Sequence, residues 1–272
     1  MAMFSALQVD QVAIFETFVV PRFLSSFGTL ALEMLIPSEG AVVANLGCRT
    51  GYPDQELHRL LPNAIVYGFD PSAAAIALAR TKSALVPDST FDYHVAGDIP
   101  LRVPDSCCSH AITLCPGIEP ARRPGLISEM ARLLVTGGQA LFALPLRGSY
   151  QEVADLLREY ALKFDVADIA NALDSNLSNR PTAENFGETF EACGLTDVEV
   201  DMRLITLPFR SGRDFFEDPM TRLMIVPELQ ILLDVGELTA PFDYVRDAID
   251  RYWSEEDFEL SVNIGCASAR RP

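Results

Sequence analysis

A chain of 272 residues, 49% hydrophobic and 22% charged, has the length for one α/β domain with an insertion, or for two small domains. Its formal net charge of −17 argues against nucleic acid and against an anionic membrane surface as partners, because both are bound mainly through Lys and Arg. The six cysteines show no C-x-x-C spacing and the amino terminus has no basic n-region, so the expectation is a cytoplasmic protein with reduced thiols and no metal site.

Residues 5 to 36 place Leu7, Ile14, Phe15, Phe18, Phe23, Phe27 and Leu30 at helical spacing, and Pro21 is expected to divide this stretch into two helices. "AVVANLG" is a short continuous apolar strand of the kind buried on both faces of a parallel sheet. A helix "PDQELHRLLP" follows, with Pro53 suited to its first turn and Asp54 and Glu56 near its positive end. "AIVYGFD" is a second strand ending in Asp70, and Pro71 and Ser72 open the next helix.

The alternation goes on through strands "TFDYHVAGD" and "CCSHAITLCP". Next comes a helix "RPGLISEMARLLVTGG", expected to be closed by its glycines, then a strand "QALFALPL" and a helix "SYQEVADLLREYAL". After residue 180 come a helix from Thr182 to Gly194 and a long strand, "LTDVEVDMRLITLPF". A mostly helical segment of about 210 to 253 and a last strand, "FELSVNIGCASA", complete the chain. Strands and helices alternating at these lengths predict a parallel sheet covered on both faces, with the two final strands pairing antiparallel.

Several segments in order resemble the class I S-adenosylmethionine-dependent methyltransferases of the small-molecule type, over roughly Phe18 to Arg270. "VVANLGCRTGY" is similar to the family's first loop, an acid, any residue, then G-x-G-x-G. "VYGFD" resembles its second strand, whose terminal acid holds the cofactor ribose. "VAGDIPLRVPDSCCSHAITL" resembles the segment in which an Asp contacts the adenine amine, and "EMARLLVTGGQALFALP" its helix, glycine turn and fifth strand.

The resemblance implies a Rossmann-like, doubly wound, mostly parallel seven-stranded sheet with an antiparallel last strand. It also implies amino-terminal lid helices over 1–40, a cofactor-binding core over 41–209, an inserted cap over 210–256 and a final core strand over 257–272. Contacts to S-adenosylmethionine are expected at Asn45, Gly47, Arg49, Gly51, Asp70, Asp98, Ile99 and Cys115.

Two positions depart from the pattern: Asn45 stands where the acid belongs and Arg49 where a glycine belongs. Asn45 keeps an acceptor without the charge. Arg49 has three courses open to it: to swing outward, to reach the cofactor's carboxylate, or to pair with Asp70 across the ribose site. For an oxygen or carbon acceptor, Glu119 and His94 are the candidate bases, while His110 reads as a core residue.

Aromatic residues in the helical segments, Phe15, Phe23, Phe215 and Phe242 among them, suit either a plain core or a cavity for an apolar acceptor. The expected activity is methyl transfer to a small apolar or aromatic molecule. The alternative is a non-catalytic relative that binds a small molecule or a protein partner.

Overall fold

The computed structural model describes residues 5–114, 118–177, 179–233 and 238–272. Its sheet has seven strands: β1 Val42–Leu46, β2 Ile65–Asp70, β3 Thr90–Val95, β4 Cys108–Leu114, β5 Leu134–Pro145, β6 Thr196–Phe209 and β7 Phe258–Arg270. They lie in the order β3-β2-β1-β4-β5-β7-β6. Neighbours from β3 to β5 run parallel. The amide of Gly137, early in β5, donates to the carbonyl of Arg271, just past β7, and Arg271 returns the bond to Gly138, so β7 runs antiparallel. This is the expected methyltransferase arrangement.

Eleven α-helices are described: α1 Val9–Ile14, α2 Ser25–Glu33, α3 Asp54–Leu60, α4 Ala73–Ser83, α5 Arg123–Leu133, α6 Gln151–Phe164, α7 Ala167–Leu177, α8 Ala183–Ala192, α9 Gly212–Glu217, α10 Val226–Leu233 and α11 Thr239–Tyr252. Among the described residues no helix is long and apolar enough to cross a membrane. By contact density the chain divides into two compact units, one of residues 1–144, 183–202 and 265–272, the other of 145–182 and 203–264.

In the first unit Pro21 does not end a helix. Phe15–Leu24 forms a π-helical stretch continuous with α1 and α2, and Ser25 Oγ donates to the Pro21 carbonyl at 2.8 Å. Proline has no N–H to donate, so one backbone bond is lost there, and the wider π-turn accommodates the ring without ending the helix. Nor do the glycines of "VTGG" cap a helix. α5 stops at Leu133, and Leu134 to Gly138 already belong to β5, where the pairing with β4 is irregular. The β-branched Val135 and Thr136 favour that extended course.

The connection from α2 into β1 is fastened to the sheet by buried polar side chains. Gln139 on β5 accepts from the Ile36 amide at 2.9 Å and donates to the Met34 carbonyl and to Ser268 Oγ, both at 2.8 Å. His110 on β4 sits 2.9 Å from the Ile36 carbonyl through Nε2, and burial lowers its pKa. It is the satisfied core histidine that its strand position implied.

The second unit has an aromatic core. Phe209, Phe215 and Phe258 meet edge to face or tilted, with Phe209–Phe215 centroids 5.1 Å apart and Phe215–Phe258 5.6 Å apart. Phe215 is therefore core, as are Phe15, Phe23 and Phe27 in the first unit.

Replacing Gln139 with Leu takes the hydrogen bond from three partners, the Ile36 amide, the Met34 carbonyl and the buried Ser268 hydroxyl. We expect a loss of about 2–3 kcal/mol in stability by denaturant unfolding. A loss below about 0.5 kcal/mol, the level of an inert surface change, contradicts the fastening role.

Candidate functional site

The strand ends build the site. β1 and β2 pair in register from Val42↔Ile65 to Leu46↔Phe69, so both finish on the same edge of the sheet. Beyond β1 the chain turns back: the amides of Gly47 and Cys48 both donate to the Phe69 carbonyl, at 2.8 and 3.2 Å. The Gly51 amide then donates to the Cys48 carbonyl and the Asp54 amide to that of Gly51, which leads into α3.

Three residues of this turn are left-handed, with φ of 73° at Gly47, 50° at Arg49 and 85° at Gly51. At Gly51 even a Cβ would lie 2.9 Å from the Tyr93 hydroxyl. The middle position, Arg49, has lost its glycine but kept the glycine conformation, which is strained for a long side chain.

Asp70 ends β2 with no exposed surface. Its Oδ1 accepts from the Ser72 amide at 2.8 Å and its Oδ2 from the Arg49 amide at 3.2 Å. The Arg49 guanidinium stands 3.7 Å from Oδ2, so of the three courses open to it Arg49 takes the one across the expected ribose site. Burial raises the Asp70 pKa, and the Arg49 charge and the two amides act against that rise.

The amino-terminal segment lies over the same residues. Arg49 Nη1 donates to the Ser5 carbonyl at 2.5 Å, and Ser72 Oγ donates to the Leu7 carbonyl at 2.7 Å. Ser72 also caps α4 by accepting from the Ala75 amide.

Beneath the loop is a polar cluster that the sequence did not single out. Asn45 Nδ2 donates to Asp54 Oδ1 at 2.7 Å, and the Tyr93 hydroxyl donates to Asp54 Oδ2 at 2.9 Å. Asp54 is fully buried, and burial pushes its pKa up to about 7 against the two hydrogen bonds and the Lys82 charge. The acid absent at position 45 thus stands nine residues later, held by the amide that replaced it. An acid in the first turn of the helix after the loop was the available signal, but a solvated helix end explained it equally well.

The remaining expected contacts follow β3. Asp98 is exposed and Ile99 half-buried. Their segment is fastened on one side by the Ala96 amide on the Asp70 carbonyl and on the other by the Leu101 amide on buried Glu129. Cys115 lies outside the described residues. His94 stacks on Phe69 with centroids 5.3 Å apart and has Nε2 3.2 Å from Asp92. Glu119 is exposed and accepts from Arg122 Nε at 2.9 Å. The structure therefore brings Asn45, Gly47, Arg49, Gly51 and Asp70 together and places His94 and Glu119 in separate contacts of their own.

Residues 43–138 match the family model described as a methyltransferase domain. No curated protein is significantly similar in sequence. Among solved structures, phosphoethanolamine N-methyltransferase 2 of Haemonchus contortus, in complex with S-adenosylhomocysteine and phosphomonomethylethanolamine, superposes with a TM-score of 0.56 at 14% identity. The match covers 98% of this chain and 58% of that one, so the chain spans little more than half of that relative. Geranyl diphosphate C-methyltransferase of Streptomyces coelicolor gives 0.50 at 13% identity, over 92% and 80% of the two chains. The [4+2]-cyclase SpnF gives 0.51 at 17% identity, over 91% and 80%.

Asp54 provides a pH test. Its folded pKa of about 7 lies above the ordinary 3.8, so its contribution is full below about pH 4 and is lost as pH rises to 7. Asp54→Asn does not titrate, so it should gain on the unmodified protein across that window, by a few kcal/mol in order of magnitude. Melting temperatures of the two proteins, taken from about pH 4 to pH 8, check this. A difference that stays constant with pH contradicts the buried, proton-holding carboxylate.

Proposed function

We propose that this chain, whose residues 43–138 match a methyltransferase-domain model, is an S-adenosylmethionine-dependent methyltransferase acting on a small apolar or aromatic molecule, held closed at its ribose site by Arg49. The observation that carries this reading is the loop backbone, left-handed at positions 47, 49 and 51 although one of the three is no longer glycine. A loop free to drift would relax that strain at Arg49.

The residues present fit the cofactor with one obstruction. Thr50 Oγ1 is buried with no partner among the described residues, so the loop holds an uncommitted hydroxyl. Gly47 and Gly51 keep the backbone bare, and Asp70 offers two oxygens of the kind that accept from a vicinal diol. Asp98 and Ile99 follow β3, where an exocyclic amine and an adenine face would be met. Asn45 has its amide hydrogens directed to Asp54 and the Tyr52 carbonyl, leaving its oxygen as the acceptor. The obstruction is the Arg49 guanidinium, which must leave Asp70 before that carboxylate can serve a ligand.

S-adenosylmethionine supplies an already activated methyl group on a sulfonium. The protein's share is to align an acceptor and exclude water. In this reading residues 1–40 act as lid and 210–256 as acceptor cap. His94 and Glu119 are the candidate bases for an oxygen or carbon acceptor.

The Arg49–Asp70 contact also favours a second reading, a non-catalytic relative whose ribose site is filled by its own side chain. Calorimetric titration with S-adenosylhomocysteine separates the two. The proposal expects weak binding by the unmodified protein and about tenfold tighter binding by Arg49→Gly, the effect of roughly 1–2 kcal/mol of released charge-assisted contact. Micromolar affinity unchanged by Arg49→Gly sinks the closing role of Arg49. No binding by either protein favours the non-catalytic reading.

A further inference from the structure

Within the second unit, the turn after β5 and the helices near it form a half-open cavity of about 240 Å³. Three arginines line it, Arg147, Arg158 and Arg180, in a chain whose net charge is −17.

Arg180 is held in place. Its side chain is 2% exposed, and its guanidinium lies over the Tyr150 ring, 4.5 Å from the centroid. Nη1 donates to the Ser149 carbonyl at 2.6 Å, while Nε and Nη2 donate to Glu228 Oε1 at 3.3 and 2.9 Å. A guanidinium has five N–H donors, so two remain without a partner among the described residues.

Arg158, on α6, donates to Asp155 at 2.8 Å and stands 3.8 Å from Asp174. Those two carboxylates are 61% and 78% exposed, so water screens them. Glu228 pairs with Arg180, and Asp174 also lines the cavity beside Arg158, so the wall carries three guanidinium groups against one carboxylate. The first turn of α6, which has no side-chain cap, adds partial positive charge beside Gln151 on the same wall.

We propose that this cavity is a binding site for an oxyanion, the phosphate or carboxylate group of a small molecule. Planar arginine forks match two oxygens of such a group at once. At about 240 Å³ the cavity is smaller than a drug-sized site, which begins near 300 Å³, so the group seated in it is compact. The site involves no cofactor residue, and its test is independent of the one above.

The test is thermal melting of the full chain in phosphate, acetate and chloride at equal ionic strength, for the unmodified protein, Arg158→Gln and Arg147→Gln. Phosphate, acetate or both should raise the melting temperature of the unmodified protein by about 2–4 °C over chloride, with the rise lost in both variants. A rise in phosphate alone assigns a phosphoryl group, and one in acetate alone a carboxylate. General salting-in or salting-out of the surface acts on all three proteins alike. No rise with either probe, or an equal rise in the unmodified protein and Arg158→Gln, overturns the proposal.

Discussion

The site depends on one buried carboxylate. Asp70 closes β2 with no exposed surface, and an ionised carboxylate in that position is tolerated only when hydrogen bonds and opposite charge surround it. It has both: the amides of Ser72 and Arg49 and, at 3.7 Å, the Arg49 guanidinium. Those contacts fix the course of the loop after β1 and the start of α4. Through Ser72 and Arg49 they also hold the segment at Ser5 and Leu7 in place. The same Arg49 side chain thus touches both the expected ribose carboxylate and the amino-terminal segment.

The loop has been altered without being dismantled. Asn45 replaces an acid, yet Asp54 stands 2.7 Å behind it, so an acid–amide pair remains with its members exchanged. Arg49 replaces a glycine, yet the backbone there is still left-handed. Both changes preserve geometry while changing charge.

The alternation of strands and helices was legible in the sequence because burial on both faces of a parallel sheet writes continuous apolar runs, and "AVVANLG" is one. Gly47, Gly51 and Asp70 were legible because each answers a local need at a strand end. What was not legible depended on distant partners. Tyr93 reaches Asp54 only because β3 lies beside β2, in register with Gly68. The course of Arg49 could be listed among three but not chosen, since the choice depends on Asp70 and on a carbonyl forty-four residues earlier. The helix through Pro21 went against local propensity for the same reason: tertiary packing outweighed it.

Similar architecture does not fix the reaction. Two of the relatives named above are methyltransferases and one is a cyclase, all at or below 17% identity to this chain. The decisive evidence lies at Asp70. The most direct measurement is a crystal structure of the protein grown with S-adenosylhomocysteine. The account predicts the ribose diol on the Asp70 carboxylate, the Arg49 guanidinium withdrawn from it and the Ser5 contact broken. A bound nucleoside with the Arg49–Asp70 contact still in place would contradict it.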